Sequence, residues 1–195
     1  MDVFGSSENP YNTIQAAIDQ SINEDAVVVY PGTYQENVLI FEKNVSVTTP
    51  DPQSSAPTTI IDGGANGLPV FRINGNGTNL GGSTADLVVS GFTIRNGLSP
   101  TYEVPGGLYV NSTNSADINI TLSHLIIEDN GASSGAGGSH FYYTDFIEVS
   151  DVVYRNNFGP SAAMGAFNAQ FSLDRGEFYN NTSSGATINF WHNSN

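Results

Sequence analysis

The chain has 195 residues, 38% of them hydrophobic, enough for one domain with a buried core. Five Lys plus Arg stand against 19 Asp plus Glu, a formal net charge of −14, which excludes nucleic acid and anionic membranes as partners of this surface. No apolar run is long enough to cross a bilayer, residues 1–5 lack the basic-then-apolar order of a signal peptide, and the absence of Cys removes disulfide and thiol chemistry.

Residues 10–22 predict the one good helix, with Asn12 or Thr13 as cap and Ile14, Ala17, Ile18 and Ile22 on one face. Ala26-Val27-Val28-Val29-Tyr30 is a β-branched strand stopped by Pro31-Gly32. Val38-x-Ile40, Val45-x-Val47, Thr59-Ile60-Ile61 and Val70-Phe71-Arg72-Ile73 read as further strands, and Asp62-Gly63-Gly64 and Asn74-Gly75-Asn76-Gly77 as turns.

From residue 87 one line is written four times. It runs Leu87-x-Val89-Ser90-x-Phe92-x-Ile94-x-Asn96, then Ile120-x-Leu122-Ser123-x-Leu125-x-Ile127-x-Asp129-Asn130. The later copies are Ile147-x-Val149-Ser150-x-Val152-x-Tyr154-x-Asn156-Asn157 and Phe171-x-Leu173-Asp174-x-Gly176-x-Phe178-x-Asn180-Asn181. The turn residues 90, 123, 150 and 174 are spaced 33, 27 and 24 residues apart. Strand-type alternation at such a period predicts a solenoid of parallel strands, one domain over residues 1–195, with residues 1–25 as an N-terminal cap and 26–195 as rungs.

A second segment recurs between the copies: Gly106-Gly107-Leu108-Tyr109-Val110, Gly137-Gly138-Ser139-His140-Phe141, Ser161-Ala162-Ala163-Met164-Gly165 and Ser184-Gly185-Ala186-Thr187-Ile188. Each rung thus has three strands. Matching positions stack about 4.8 Å apart, which predicts inward columns such as Ile94, Ile127, Tyr154 and Phe178, and a corner ladder of Asn130, Asn157 and Asn181. The chain ends in apolar strands without a helix or Pro to close the last rung. That end predicts continuation as a longer solenoid or end-to-end self-association through the C-terminal rung.

Thr13-Ile14-Gln15-Ala16-Ala17-Ile18-Asp19, Pro31-Gly32-Thr33-Tyr34-x-Glu36-Asn37-Val38 and Ser90-Gly91-Phe92-Thr93-Ile94-Arg95-Asn96-Gly97 resemble the cap, first rung and common rung of the right-handed parallel β-helix proteins, the pectin-lyase-like superfamily. The resemblance implies an all-β, right-handed parallel β-helix with an amphipathic capping helix. That fold hosts lyases, hydrolases, esterases, adhesins and capsule-binding tailspikes. Gly106-Gly107-Leu108-Tyr109 and Phe178-x-x-Asn181 resemble the paired repeats of polymorphic outer-membrane-type surface adhesins. The Pro31 to Val38 stretch also resembles an early strand of pectin methylesterases, but the Gln-Asp-Thr segment those enzymes need does not occur, and Asp145-Phe146-Ile147 matches their later motif in only three residues.

In register, the residues preceding the inward Phe92 column are Gly91, His124, Asp151 and Arg175, and Arg95, Glu128, Arg155 and Tyr179 form another outward column. The first reading is a stacked ion-pair ladder alternating in sign, with cross-strand pairs of roughly 0.2–1 kcal/mol each. The second is a site for an acidic sugar, with Arg155 and Arg175 holding a carboxylate and Asp151 or His124 moving a proton. A second outward face carries Tyr109, His140, Met164 and Thr187, with Asn111, Tyr142, Ala166 and Asn189 beside them. It reads equally as a sugar- or protein-binding surface and as packing beneath a loop.

Asp62 and Glu128-Asp129 supply oxygen ligands that suit calcium, but no repeated calcium motif occurs, and His124, His140 and His192 lack zinc spacing; no cofactor is expected. The leading expectation is a non-catalytic extracellular or cell-surface module that binds a glycan or a cell-surface protein through residues including Tyr109, His140, Tyr142, Arg95 and Glu128. The alternatives are a polysaccharide-active lyase or hydrolase using His124, Asp151, Arg155 and Arg175, and a structural stalk or filament subunit.

Overall fold

The structure, a computed structural model, describes residues 5–74, 87–101, 104–111, 119–144 and 146–191. The Gly75-Asn76-Gly77 turn, Asp145 and His192 lie outside the described residues.

The described residues wind as a right-handed parallel β-helix of six rungs. The first two rungs hold β1 (Ala26–Val28), β2 (Gly32–Gln35) and β3 (Val38–Phe41), then β4 (Ser46–Thr48), β5 (Thr59–Asp62) and β6 (Phe71–Asn74). A one-turn helix that the sequence reading did not anticipate, α2 (Pro52–Ser55), interrupts the second rung behind Asp51, with Pro in the first helical turn as Pro prefers. The third rung holds β7 (Leu87–Ser90), β8 (Thr93–Arg95), β9 (Leu98–Ser99) and β10 (Leu108–Asn111), and the fourth β11 (Asn119–Glu128), β12 (Gly131–Ala132) and β13 (Ser139–Tyr142). In the last two, β14 (Phe146–Arg155) with β15 (Phe158–Phe167), and β16 (Phe171–Tyr179) with β17 (Thr182–Trp191), the short strands fuse into long bent ones. Three faces result. The first stacks β1, β4, β7 and the opening halves of β11, β14 and β16. The second stacks β2, β5, β8 and the closing halves of those long strands. The third stacks β3, β6, β10, β13 and the closing ends of β15 and β17.

The expected inward columns hold. Ile94, Ile127, Tyr154 and Phe178 pair in register, as do Leu87, Ile120, Ile147 and Phe171. The rings of Tyr154 and Phe178 stack 5.1 Å apart and 2° from parallel. The hydroxyl of fully buried Tyr154 bonds Ser139 Oγ at 2.8 Å, and burial pushes its phenol pKa up to about 12. One column is corrected. Met164 pairs with Ser139 and lies in the core, so Gly165, not Met164, stands beside His140 on the outside. Against Ser161 and Met164 the next strand, β17, shows register shifts, and such irregularities near Pro160 change the count along a rung.

The asparagine ladder is present and buried. Asn130 donates its side-chain amide to Asn157 Oδ1 (3.2 Å), and Asn157 to Asn181 Oδ1 (3.0 Å). The left-handed backbone belongs to the preceding residues Asn96, Asp129, Asn156 and Asn180, with φ of 56°, 54°, 56° and 55°. The Asn doublet therefore divides its work: the first residue turns the chain and the second satisfies the corner's buried peptide groups.

The cap helix is α1 (Ile14–Gln20), shorter than the predicted span because Ser21 returns to extended backbone, and Ile22 is 72% exposed rather than on the core face. Thr13 caps it. Glu36 adds a second cap, its two carboxylate oxygens accepting from the Ile14 and Gln15 N–H groups at 2.9 Å each. The Gln15 amide pairs with Leu39 as another strand would, accepting from its N–H (2.7 Å) and donating to its carbonyl (3.1 Å). Lys43 closes the other end, donating to the carbonyls of Ile18, Asp19 and Ser21 at 2.8, 2.8 and 2.9 Å. Thus Gln15 and Glu36, in the stretches that resemble the β-helix family, serve to dock the cap.

Candidate functional site

The corner between the first and second faces is made by a left-handed residue in each of rungs three to six: Gly91 (φ 93°), His124 (52°), Asp151 (53°) and Arg175 (51°). His124, Asp151 and Arg175 are thus brought into one exposed column, as the register predicted. Arg175 binds Asp151 with a two-pronged fork, Nε to Oδ1 at 2.6 Å and Nη2 to Oδ2 at 2.8 Å, and its third nitrogen reaches Asp174. These hydrogen bonds hold the Asp151 carboxyl below the usual carboxylate range. His124 Nε2 lies 3.7 Å from Asp151 Oδ2, and its buried Nδ1 has no hydrogen-bond partner.

Arg155 does not join this group. It stands four residues further along the strand than Asp151, roughly 13 Å at about 3.3 Å per residue, because the corner turns the chain between the two columns. Its own column runs Gln35, Asp62, Arg95, Glu128, Arg155, Tyr179 down the second face. Arg95 bonds Asp62 at 2.9 Å, Arg155 bonds Glu128 at 2.5 Å, and Arg155 also bonds the Tyr179 hydroxyl at 3.1 Å. The alternating ladder is therefore real and extends up to Asp62. Every guanidinium in both columns already faces a carboxylate, so a sugar acid would have to displace one.

The third face has a different chemistry. Its outward residues form two rows. One is Leu39, Arg72, Tyr109, His140 and Gly165; the other is Phe41, Asn74, Asn111, Tyr142 and Phe167. The first row is largely closed. Tyr109 is 8% and His140 1% exposed, so the expectation that both present themselves to a ligand is corrected. They pack on each other at 6.3 Å between centroids, with the Arg72 guanidinium 5.9 Å from the Tyr109 ring. The second row is accessible. Phe41 is 50% exposed, Tyr142 and Phe167 are half-buried and stack 5.2 Å apart, and Tyr143, in left-handed backbone, lays its ring edge-on against both at 4.6 and 5.4 Å. Of the aromatic residues that the sequence offers as ligand contacts, Tyr142 stays on this open row. The sequence reading missed Phe41, Asn74, Phe167 and Tyr143. Extending the second recurring segment back to Val38-Leu39-Ile40-Phe41 and Phe71-Arg72-Ile73-Asn74 would have found the first two.

Among the described residues no group of three or more His, Asp or Glu could hold a metal ion; of the oxygen ligands that suit calcium, Asp62 and Glu128 pair with Arg95 and Arg155 in the ladder, and Asp129 is the left-handed corner residue that follows Glu128. No family model matches the sequence. No curated protein matches either. Among solved structures, a pectin methylesterase mutant in complex with a hexasaccharide is similar at a TM-score of 0.44 and 11% identity, over 89% of this chain and 66% of that one. The chain thus spans just under two thirds of that protein's length. A pectin methylesterase from Aspergillus niger in deglycosylated form gives a TM-score of 0.37 at 12% identity, over 96% of this chain and 83% of that one.

Proposed function

We propose that the chain is a polysaccharide-binding β-solenoid module of the cell exterior, holding its ligand across the third face. The observation that carries this reading is the open row Phe41, Asn74, Asn111, Tyr142 and Phe167, with Tyr143 beside it. Apolar ring faces and amides recur there at the rung spacing of about 4.8 Å. Rings stack on the apolar faces of pyranoses, and amides bond their hydroxyls. Electrophoresis in gels cast with neutral and acidic polysaccharides tests it. At least one polymer should retard the protein, and Tyr142→Ala and Phe167→Ala should each weaken that retardation about tenfold, about 1.4 kcal/mol, without unfolding the chain. Retardation by no polymer, or retardation of both variants equal to that of the wild type, overturns the reading.

A second reading, a polysaccharide-active enzyme at the exposed corner, draws support from the 3.7 Å approach of His124 to Asp151. With its pKa held low, Asp151 would serve as a base rather than an acid at neutral pH. Unsaturated products, reducing ends, or methanol released from methyl-esterified pectin (the activity named for the structures above) would reveal it. Loss of that turnover in Asp151→Asn, with polymer binding kept, would assign it to the corner.

A further inference from the structure

A groove of about 690 Å³ opens at the capped end, between α1, the segment of residues 5–13 and strand β1. Its wall on the sheet side is continuous: all six residues from Asp25 to Tyr30 line it. Alternate residues of a strand point to opposite faces, so six in succession expose the backbone edge itself.

Among the described residues that edge is free on this side, because β1 is the terminal strand of its sheet and pairs only with β4. The parallel ladder to β4 uses alternate residues. The Asp25 carbonyl accepts from the Ser46 N–H at 3.0 Å, and the Val29 N–H donates to the Thr48 carbonyl at 2.8 Å. Ala26 and Val28 therefore turn their N–H and C=O groups the other way, toward the groove. The opposite wall is α1, with Ile14, Ala17, Gln20 and Ser21. A free strand edge facing a helix across an apolar-floored groove is the geometry that accepts an added strand. The charge is one-sided as well. Among the described residues Asp25 is the only charged one in the lining, with no cation beside it, and the chain carries −14 overall.

We propose that this groove takes up an extended basic peptide segment, which pairs as an added strand with the free edge of β1. Main-chain bonds to Ala26 and Val28 supply the alignment. Asp25 and the acidic surface select Lys- or Arg-bearing sequences and make association sensitive to salt.

The probe is a fluorescein-labelled peptide, Lys-Val-Thr-Val-Lys-Val-Gly, followed by anisotropy and by amide hydrogen exchange on the full chain. Saturable binding is expected, with exchange at Ala26 and Val28 slowed at least tenfold and a Glu-for-Lys peptide binding at least tenfold more weakly. Val28→Pro removes the free N–H without touching the ladder to β4 and should lower affinity at least tenfold. Should that variant melt early, Ala17→Trp, which fills the groove from the helix side, provides the same test. No saturable binding, wild-type affinity in both variants, or protection at β16 and β17 instead overturns the proposal. So does protection of Ala26 and Val28 by cellohexaose but not by the peptide, since the groove would then be a sugar site.

Discussion

Two corners of rungs three to six use the same left-handed backbone and spend it differently. Between the first and second faces the left-handed residue is Gly, His, Asp or Arg, and its side chain stands at the surface. Between the second and third faces the left-handed residue is Asn or Asp, and the residue after it is Gly or a buried Asn. At this corner each Asn serves the rung before it. Asn157 accepts from the Asn130 N–H at 3.1 Å and donates to the Ile127 carbonyl at 2.8 Å; Asn181 does the same for Asn157 and Tyr154 at 3.0 and 2.9 Å. The difference teaches where a repeat is strict. A corner whose peptide groups are buried demands one side chain with both a donor and an acceptor; a corner in contact with water tolerates many.

The largest test of this contrast is Asn157→Ala. It strips partners from the Asn130 N–H and side-chain amide and from the Ile127 carbonyl, all buried. At about 1–3 kcal/mol for each stranded group, the variant should lose roughly 3–5 kcal/mol in urea denaturation. A loss under about 1 kcal/mol would show that water replaces the ladder. Next comes Gly91→Ala, at the tolerant corner. There φ is +93°, and a Cβ would stand 2.2 Å from Thr49 Oγ1 and 2.9 Å from the Pro52 Cα, beneath α2. A cost of about 2 kcal/mol or more is expected, with backbone strain and overpacking added together. A neutral result would mean that α2 shifts freely, and that this corner is tolerant even where it is covered.

The two corners also differ in how well the sequence announces them. The Asn doublets were legible because an amide repeated at fixed register in an otherwise variable line has few uses except a ladder. Inward columns were legible for the same reason: strand alternation leaves each apolar position one face to occupy. The columns holding His124, Asp151 and Arg175, and Arg95, Glu128 and Arg155, came from register too, but register does not reveal that a corner separates Arg155 from the others. Nor could it show that Tyr109 and His140 close on each other, since an outward position becomes buried whenever large rings occupy adjacent rungs. The third face slipped by one residue because the offset between rungs four and five is 27 residues on the second face (Ile127 to Tyr154) but 25 on the third (His140 to Gly165), and one repeat line cannot show where the two are lost. The docking of the cap was hidden for another reason. Glu36 and Gln15 act across 21 to 24 residues of sequence, outside any local capping pattern.

The smallest expected effect sharpens the comparison from the ionic side. Asp151 and Arg175 form an exposed pair, with side chains 31% and 62% accessible, so Asp151→Asn should leave the urea midpoint at pH 7 within experimental error. Asp62 is a stricter case. Its burial works to raise the carboxyl's pKa, but the Asn96 amide, the Gly64 N–H and Arg95 outweigh it and hold the group below the usual range. For both carboxylates the folded value is depressed, so their stabilisation is complete above the ordinary carboxyl pKa of about 4 and is lost as pH falls through the lowered value. Urea midpoints measured from pH 7 to pH 2 should therefore fall on the acid side in the wild type, fall less in Asp62→Asn, and fall almost as in the wild type in Asp151→Asn. If Asp151→Asn flattened the acid limb as much as Asp62→Asn, the exposed corner would be an ionic clamp in its own right. The distinction between a strict buried corner and a tolerant wet one would then fail, because charge rather than burial would be setting the cost at both.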